Sequence, residues 1–233
     1  FIVAEQMQEI GLEPGSILIE PEAKNTSGAI LAASFYAMAN DTNAILLVAP
    51  SDHVISNTDT FHYAIKQGLD AIDHGKIVTF GIKPEYAETG YGYLKVAEEG
   101  KLSFKIVSEF VEKPDKSRAQ SMIDAGDYLW NSGIFLFKAS DMISAFERYA
   151  EKTYKITKQA VKRGKTDLGF FRLDPKLWSQ LNDISIDYEM MEKVNNLVAI
   201  PFEDGWSDLG GWDSVWGNSE KDQNGNSIYG NAH

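Results

Sequence analysis

In Glu109-Phe110-Val111-Glu112-Lys113-Pro114-Asp115 an apolar, strand-like run ends in an acid, a base and a proline. A carboxylate there can accept hydrogen bonds from hydroxyl groups, and the ammonium beside it can compensate a phosphate. Adjacent residues of an extended strand point to opposite faces, so Glu112 and Lys113 share a ligand only if the backbone bends. Pro114 permits the bend by ending the ladder. The plainer alternative is an exposed Glu-Lys pair, which is common and contributes little. A second polar cluster, Tyr128-Leu129-Trp130-Asn131-Ser132-Gly133, follows about a dozen residues later.

Two further stretches offer carboxylates. Pro50-Ser51-Asp52-His53 directly follows the apolar run Ala44 to Ala49, at the carboxyl end of a strand, where open α/β sheets put their ligands. Asp52 can ligate Mg2+, a hard ion that prefers oxygen, or it can simply cap the turn. His53 reads as a packing or hydrogen-bonding neighbour, since no second His lies at metal-binding spacing. In Gly205-Trp206-Ser207-Asp208-Leu209-Gly210-Gly211-Trp212 the glycines allow unusual backbone angles and the tryptophans can wall Asp208 off from water. Alternatively this is a loop between a strand and the last helix, with Trp206 and Trp212 in the core. Together, Asp52 and Asp208 at strand ends flanking one cleft would seat Mg2+ and a triphosphate. Thr89-Gly90-Tyr91-Gly92-Tyr93 lets a ring approach the backbone closely, although hairpins also use Gly-x-Gly.

The elements that must position these groups alternate. Val3, Met7 and Ile10 have helical spacing, with Gly11 as a stop. Ile17 to Ile19 is extended. Asn25, Thr26 and Ser27 offer cap side chains before a helix that is apolar on all sides and therefore buried. Ala44 to Ala49 is expected to be a central parallel strand. The stripe Phe61, Ile65, Leu69, Ile72 predicts a helix, and Ile77 to Ile82 a strand. Strands are then expected at Tyr91 to Val96, Phe104 to Val111 and Ile134 to Lys138, with Gly100 in the turn between the first two and a helix over Asp115 to Asp124. Helical stretches at Met142 to Lys162 and Asp187 to Lys193 and a strand at Leu197 to Phe202 complete the pattern. Residues 219–233 are polar and glycine-rich and read as a linker or the start of a further domain. There is no internal repeat and no low-complexity tract.

Composition limits the function classes. With 233 residues and 43% hydrophobic content, one α/β domain with a large core is ordinary. The net charge of -12 argues against a broad nucleic-acid-binding face, so a phosphate ligand must be met by a few basic groups or a divalent cation. Zero cysteines exclude disulfides and thiolate metal sites. No run of about 18 apolar residues suggests a membrane span and the start lacks a secretory pattern, so cytoplasm is the default expectation. Phe1 is not an initiator residue, which suggests a segment upstream.

Seven motifs in order carry a family resemblance: Glu20-Pro21-Glu22-Ala23-Lys24-Asn25-Thr26, Ala49-Pro50-Ser51-Asp52-His53, Thr89-Gly90-Tyr91-Gly92-Tyr93, Phe110-Val111-Glu112-Lys113-Pro114, Trp130-Asn131-Ser132-Gly133, Ser185-Ile186-Asp187-Tyr188 and Gly205-Trp206-Ser207-Asp208-Leu209-Gly210. The series resembles the bacterial mannose-1-phosphate guanylyltransferases, among the sugar nucleotidyltransferases, over nearly the whole chain. The resemblance implies an α/β, Rossmann-like nucleotide-diphospho-sugar transferase fold. In it a mixed, mostly parallel sheet is flanked by helices and joined by a small antiparallel sugar-side lobe. It also implies synthesis of GDP-mannose and pyrophosphate from GTP and mannose 1-phosphate with Mg2+, in support of polysaccharide synthesis, without nucleic-acid or membrane partners. An assembly of like chains is compatible with it. Carried over by position, Asp52 and Asp208 match the metal-binding aspartates, and Lys113 matches the lysine at the sugar phosphate; these three are the expected catalytic residues. Gly92, Glu112 and Asn131 match sugar contacts, and Asn25, Thr26 and Gly28 fall near the nucleotide base. Asp187 and Glu192 lie in a family motif in which a ligand role and a structural role are not separable.

Two departures stand out. The family pattern has Arg before the Asn-Thr pair and Pro after it, where this chain has Lys24 and Gly28. Its glycine-rich triphosphate loop is not in the sequence, so residues 1–218 are expected to be the nucleotidyltransferase domain without that loop, holding the sugar and metal half of the site and turning over poorly alone. Two alternatives stay open: a nucleotidyltransferase for glucose 1-phosphate with UTP or dTTP, and a non-catalytic module that binds sugar nucleotides.

Overall fold

A computed structural model describes residues 2–97, 103–202 and 205–228. In chain order these form α1 (Ile2–Glu9), β1 (Ile17–Ile19), α2 (Asn25–Asn40), β2 (Ile45–Val48), β3 (Val54–Ile55), α3 (Thr58–Ile72), β4 (Ile77–Ile82), β5 (Gly92–Ala97), β6 (Lys105–Glu112), α4 (Lys116–Ala125) and β7 (Tyr128–Lys138). There follow α5 (Ala139–Tyr149), α6 (Glu151–Lys162), β8 (Lys165–Asp167), β9 (Phe170–Arg172), α7 (Pro175–Trp178), a π-helical turn at Asp187–Met191, β10 (Leu197–Pro201), β11 (Trp206–Ser207) and α8 (Trp212–Gly217). The expected turn at Gly100 lies outside the described residues. No described helix is long and apolar enough to cross a membrane.

The chain divides into two compact units, one of Phe1–Ile45 with Lys138–Val194, the other of Leu46–Phe137 with Asn195–His233. The second contains the large sheet, in the order β2-β7-β4-β10-β6-β5, with β7 also pairing β5. β7 is long and has three neighbours, β2, β4 and β5, and its Trp130 pairs with Ile82 of β4 and with Tyr93 of β5. Among the described registers β4 and β10 run parallel, whereas β4·β7, β10·β6, β5·β6 and β5·β7 are antiparallel. The sheet is mixed, as expected, but its described registers are mostly antiparallel and not mostly parallel. Its antiparallel strands belong to the sheet itself, and do not make a separate lobe. The chain joins β5 to β6 by a connection short enough for antiparallel neighbours, while a parallel pair needs a long crossover, such as the one between β4 and β10.

β2 corrects a second expectation. It lies at an edge of the sheet, and its alternating exposure leaves Leu47 42% exposed. A continuous apolar run alone does not distinguish an edge from a centre. The buried strands are β4 and β10, whose Val78, Phe80, Val198 and Ile200 pack with Ala64, Ala71 and Ile72 of α3. Gly68 of α3 lets the helix approach the sheet, because a Cβ there would lie 2.7 Å from Leu136 Cδ2.

In the first unit α2 is buried along most of its start and middle, as its apolar surface requires, and it contacts α5 and α6. Ala32 packs with Ala160, Leu173, Trp178 and Leu181. A small sheet, β1-β9-β8, completes this unit.

Candidate functional site

Strand register assembles the first part of the site. Gly92 of β5 pairs with Glu112 of β6, and Tyr93 pairs with both Val111 and Trp130. The next step of the β5·β7 register brings Asn131 beside Gly92. Glu112, Gly92 and Asn131 therefore form one row across three strands, on the face opposite to Tyr93, Val111 and Trp130. Those three are buried with Ala119 and Met122 of α4. The row needs glycine at its centre: a Cβ on residue 92 would lie 2.6 Å from Glu112 Oε2 and 3.1 Å from the Phe110 ring.

Lys113 makes the turn that the sequence suggested. Its φ of 48° lies in the left-handed region, and its N–H donates to the Tyr91 carbonyl at 3.2 Å. The Nζ atom returns to 3.3 Å from Glu112 Oε1, pairing an ammonium that is 55% exposed with a carboxylate side chain that is 7% exposed. Asn131, 8% exposed, accepts at Oδ1 from Thr79 Oγ1 (2.7 Å) and Gly133 N (3.3 Å), and the left-handed Gly133 (φ 71°) lets the chain stay in β7 past it. The Trp130 to Gly133 motif thus lies within a strand that begins six residues before the expected start at Ile134.

The two aspartates approach through a smaller ladder. β11 pairs β3 antiparallel, Trp206 with Ile55 and Ser207 with Val54, so the next step of the register sets Asp208 opposite His53. Both Asp52 and Asp208 act electrostatically on that one imidazole. Burial holds the His53 pKa below its usual value, against the opposing pull of the two carboxylates. Trp206 Nε1 donates to His53 Nδ1 at 3.3 Å, and since an indole nitrogen only donates, Nδ1 is the unprotonated acceptor of a neutral ring. His53 thus stands beside the two carboxylates and packs edge-on against Trp206.

Asp208 Oδ1 accepts from Tyr91 Oη at 2.8 Å and from Gly210 N at 3.1 Å. Burial first, then the bond and charge of Asp208, push the Tyr91 phenol well above its ordinary pKa, so it remains a donor at physiological pH. Asp208 and Tyr91 line a cavity of about 750 Å³ with Tyr86, Glu88, Gly90 and Ser214. Among the described residues no group of three or more His, Cys, Asp or Glu could hold a metal. Trp206 is half-buried beside His53. Trp212 is 86% exposed at the start of α8, so it neither screens Asp208 nor belongs to the core.

In the first unit, Asn25 and Thr26 are exposed at the start of α2, but their side chains do not cap it as expected. Asn25 (φ 59°) is itself the first residue of the helix and accepts from Thr26 N at its own Oδ1 (3.0 Å). Thr26 Oγ1 accepts from Ile186 N (2.9 Å), and Ser27 Oγ donates to the buried carboxylate of Glu189, which also accepts from Thr153 Oγ1 (2.6 Å). The hydroxyls therefore tie the helix start to the segment 184–189. Asp187 opens the π-helical turn and Glu192 is exposed just after it. Gly28 is buried, and a Cβ there would meet Leu181 Cδ1 at 3.0 Å and the Trp178 ring at 3.2 Å.

Tyr91 is the residue that sequence reasoning left without a role, although it stands between the two glycines of a quoted motif. The available signal was a phenol, a group with a polar end that needs a partner when buried.

A model of the nucleotidyl transferase family matches residues 1–225. The chain is similar to the Xanthan biosynthesis protein XanB of Xanthomonas campestris pv. campestris (strain B100), at 42% identity over 233 residues, covering 100% of this chain and 49% of that protein. It is also similar to a mannose-1-phosphate guanylyltransferase of Sinorhizobium fredii (strain NBRC 101917 / NGR234), at 41% identity, covering 100% of this chain and 46% of the relative. The chain thus spans about half the length of these curated relatives. Among solved structures, one described as mannose-1-phosphate geranyltransferase from Thermus thermophilus aligns with a TM-score of 0.77 at 28% identity, covering 91% of this chain and 58% of that one.

Proposed function

This chain belongs to the nucleotidyl transferase family, and we propose that it serves a mannose-1-phosphate guanylyltransferase, joining mannose 1-phosphate to the GMP moiety of GTP with release of pyrophosphate. The observation that carries this reading is the row of Glu112, Gly92 and Asn131 ending in the turned Lys113. It offers a buried acceptor for sugar hydroxyls, room for a ring over a glycine backbone, and one exposed ammonium for the phosphate. The name of the 41% identical Sinorhizobium relative supports the choice of substrates.

The chemistry asks little of acid-base groups. A sugar phosphate is already an anion at neutral pH, with a second pKa of about 6 for a phosphate monoester. One of its oxygens forms a bond to the α-phosphorus of GTP as the bond to the leaving pyrophosphate breaks. Catalysis is then positioning and charge compensation. Glu112 orients the sugar, Lys113 faces the phosphate, and the carboxylates of Asp52 and Asp208 are hard oxygen donors that fit Mg2+. When bound, Mg2+ would neutralise phosphate charge, with water and phosphate oxygens completing its shell. The neutral His53 adds no positive charge to compete with the cation. We place the protein in the cytoplasm, where both substrates are expected, with its product used in polysaccharide synthesis.

The test is pyrophosphate release with mannose 1-phosphate or glucose 1-phosphate against GTP, ATP, UTP and dTTP. GTP with mannose 1-phosphate should be the best pair. Preference for a pyrimidine nucleotide, or for glucose 1-phosphate, would overturn the assignment.

A further inference from the structure

We propose that Tyr91 is a positioning residue, whose phenol holds one oxygen of the Asp208 carboxylate and leaves the other free to ligate a divalent cation. The inference rests on the reading of Asp208 as a metal ligand. Both hydrogen bonds to this carboxylate, from Tyr91 Oη at 2.8 Å and from Gly210 N at 3.1 Å, end on Oδ1. Among the described residues Oδ2 accepts no hydrogen bond, and Gly210 leaves it room, since a Cβ on that residue would lie 2.6 Å from Oδ2. A carboxylate otherwise rotates about its last torsion with little resistance. Two donors on one oxygen set that torsion.

The phenol is itself held. Its ring meets Trp130 edge-on at 5.2 Å and Trp206 at 5.4 Å between centroids. The Tyr91 carbonyl accepts from Lys113 N, and the next residue is Gly92 at the centre of the sugar row. One residue therefore joins the backbone of the phosphate-facing lysine to the orientation of Asp208. Outer groups that orient a ligand typically change metal affinity by about 10- to 100-fold when removed.

The experiment measures Mn2+ binding to the full chain by electron paramagnetic resonance for the parent, Tyr91→Phe, Gly210→Ala and Asp208→Asn. Mannose 1-phosphate affinity and the metal-free melting temperature are read in parallel. Tyr91→Phe keeps the ring and its packing, so it should bind Mn2+ about 10-fold more weakly with sugar-phosphate affinity and metal-free melting held at parent values. Gly210→Ala, which retains the phenol but crowds Oδ2, should also weaken Mn2+ binding. Parent-like Mn2+ affinity in Tyr91→Phe, with binding lost in Asp208→Asn, would overturn the role of Tyr91 alone. Parent-like affinity in Asp208→Asn would remove Asp208 from the metal site, and the role of Tyr91 would fall with it.

Discussion

At the scale of single residues, the site depends on what is missing at position 92 as much as on what is present at 112. Glu112 Oε2 occupies the volume a Cβ on residue 92 would need. Gly92→Ala should therefore displace the carboxylate while Lys113 and the aspartates stay in place. We expect KM for mannose 1-phosphate to rise on the order of 10-fold, the equivalent of about one hydrogen bond to a charged group. Steady-state kinetics with GTP saturating would measure it, and an unchanged KM would remove Glu112 from the sugar contacts. The motif around Gly92 was legible in the sequence as a place where a ring can approach. That its partner is Glu112 was not, because register is a property of two strands that lie well apart along the chain.

At the scale of elements, the turn at Lys113 is held between two ladders of hydrogen bonds. β6 ends at Glu112, Pro114 follows, and Asp115 caps α4 by accepting from Arg118 N at 2.9 Å. Lys113 occupies the left-handed region in the gap. Asp115→Ala should cost about 1 kcal/mol of stability through loss of the cap. It should also loosen the turn, raising KM for the sugar phosphate while kcat changes little. Denaturant unfolding and kinetics check the two parts, and a stability within experimental error of the parent would refute the capping role. The helix at 115–124 was readable from its residues, and α4 lies within one residue of it at each end. β7 was readable only from Ile134: Gly133 and the polar pair before it fall in no expected element, whereas Thr79 and the left-handed Gly133 accommodate them inside a strand.

At the scale of the whole molecule, the proposed sugar and metal groups all lie in the unit of Leu46–Phe137 and Asn195–His233, and the start of α2 lies in the other. Mannose 1-phosphate alone should slow amide hydrogen exchange in β5, the end of β6 and the start of β7, and leave the first turn of α2 unprotected. Mass spectrometry of the exchanged peptides reads this directly, and protection confined to α2 would contradict the assignment of the sugar row. Composition already excluded thiolate metal sites and argued against a broad nucleic-acid face, and the ordered motifs pointed to the family, because residue type and local order survive in one dimension. Hydrophobic spacing likewise marked α3, β4 and β10, whose apolar faces must be buried wherever they pack. The tertiary structure alone decided that β2 is an edge and that the antiparallel pairs β5·β6 and β5·β7 belong to the main sheet. It alone set Glu112, Gly92 and Asn131 in one row and gave Asp208 to Tyr91. Each of these depends on which strand lies beside which, and pairing between distant segments is settled by burial and backbone hydrogen bonding over the whole sheet, which no local pattern encodes.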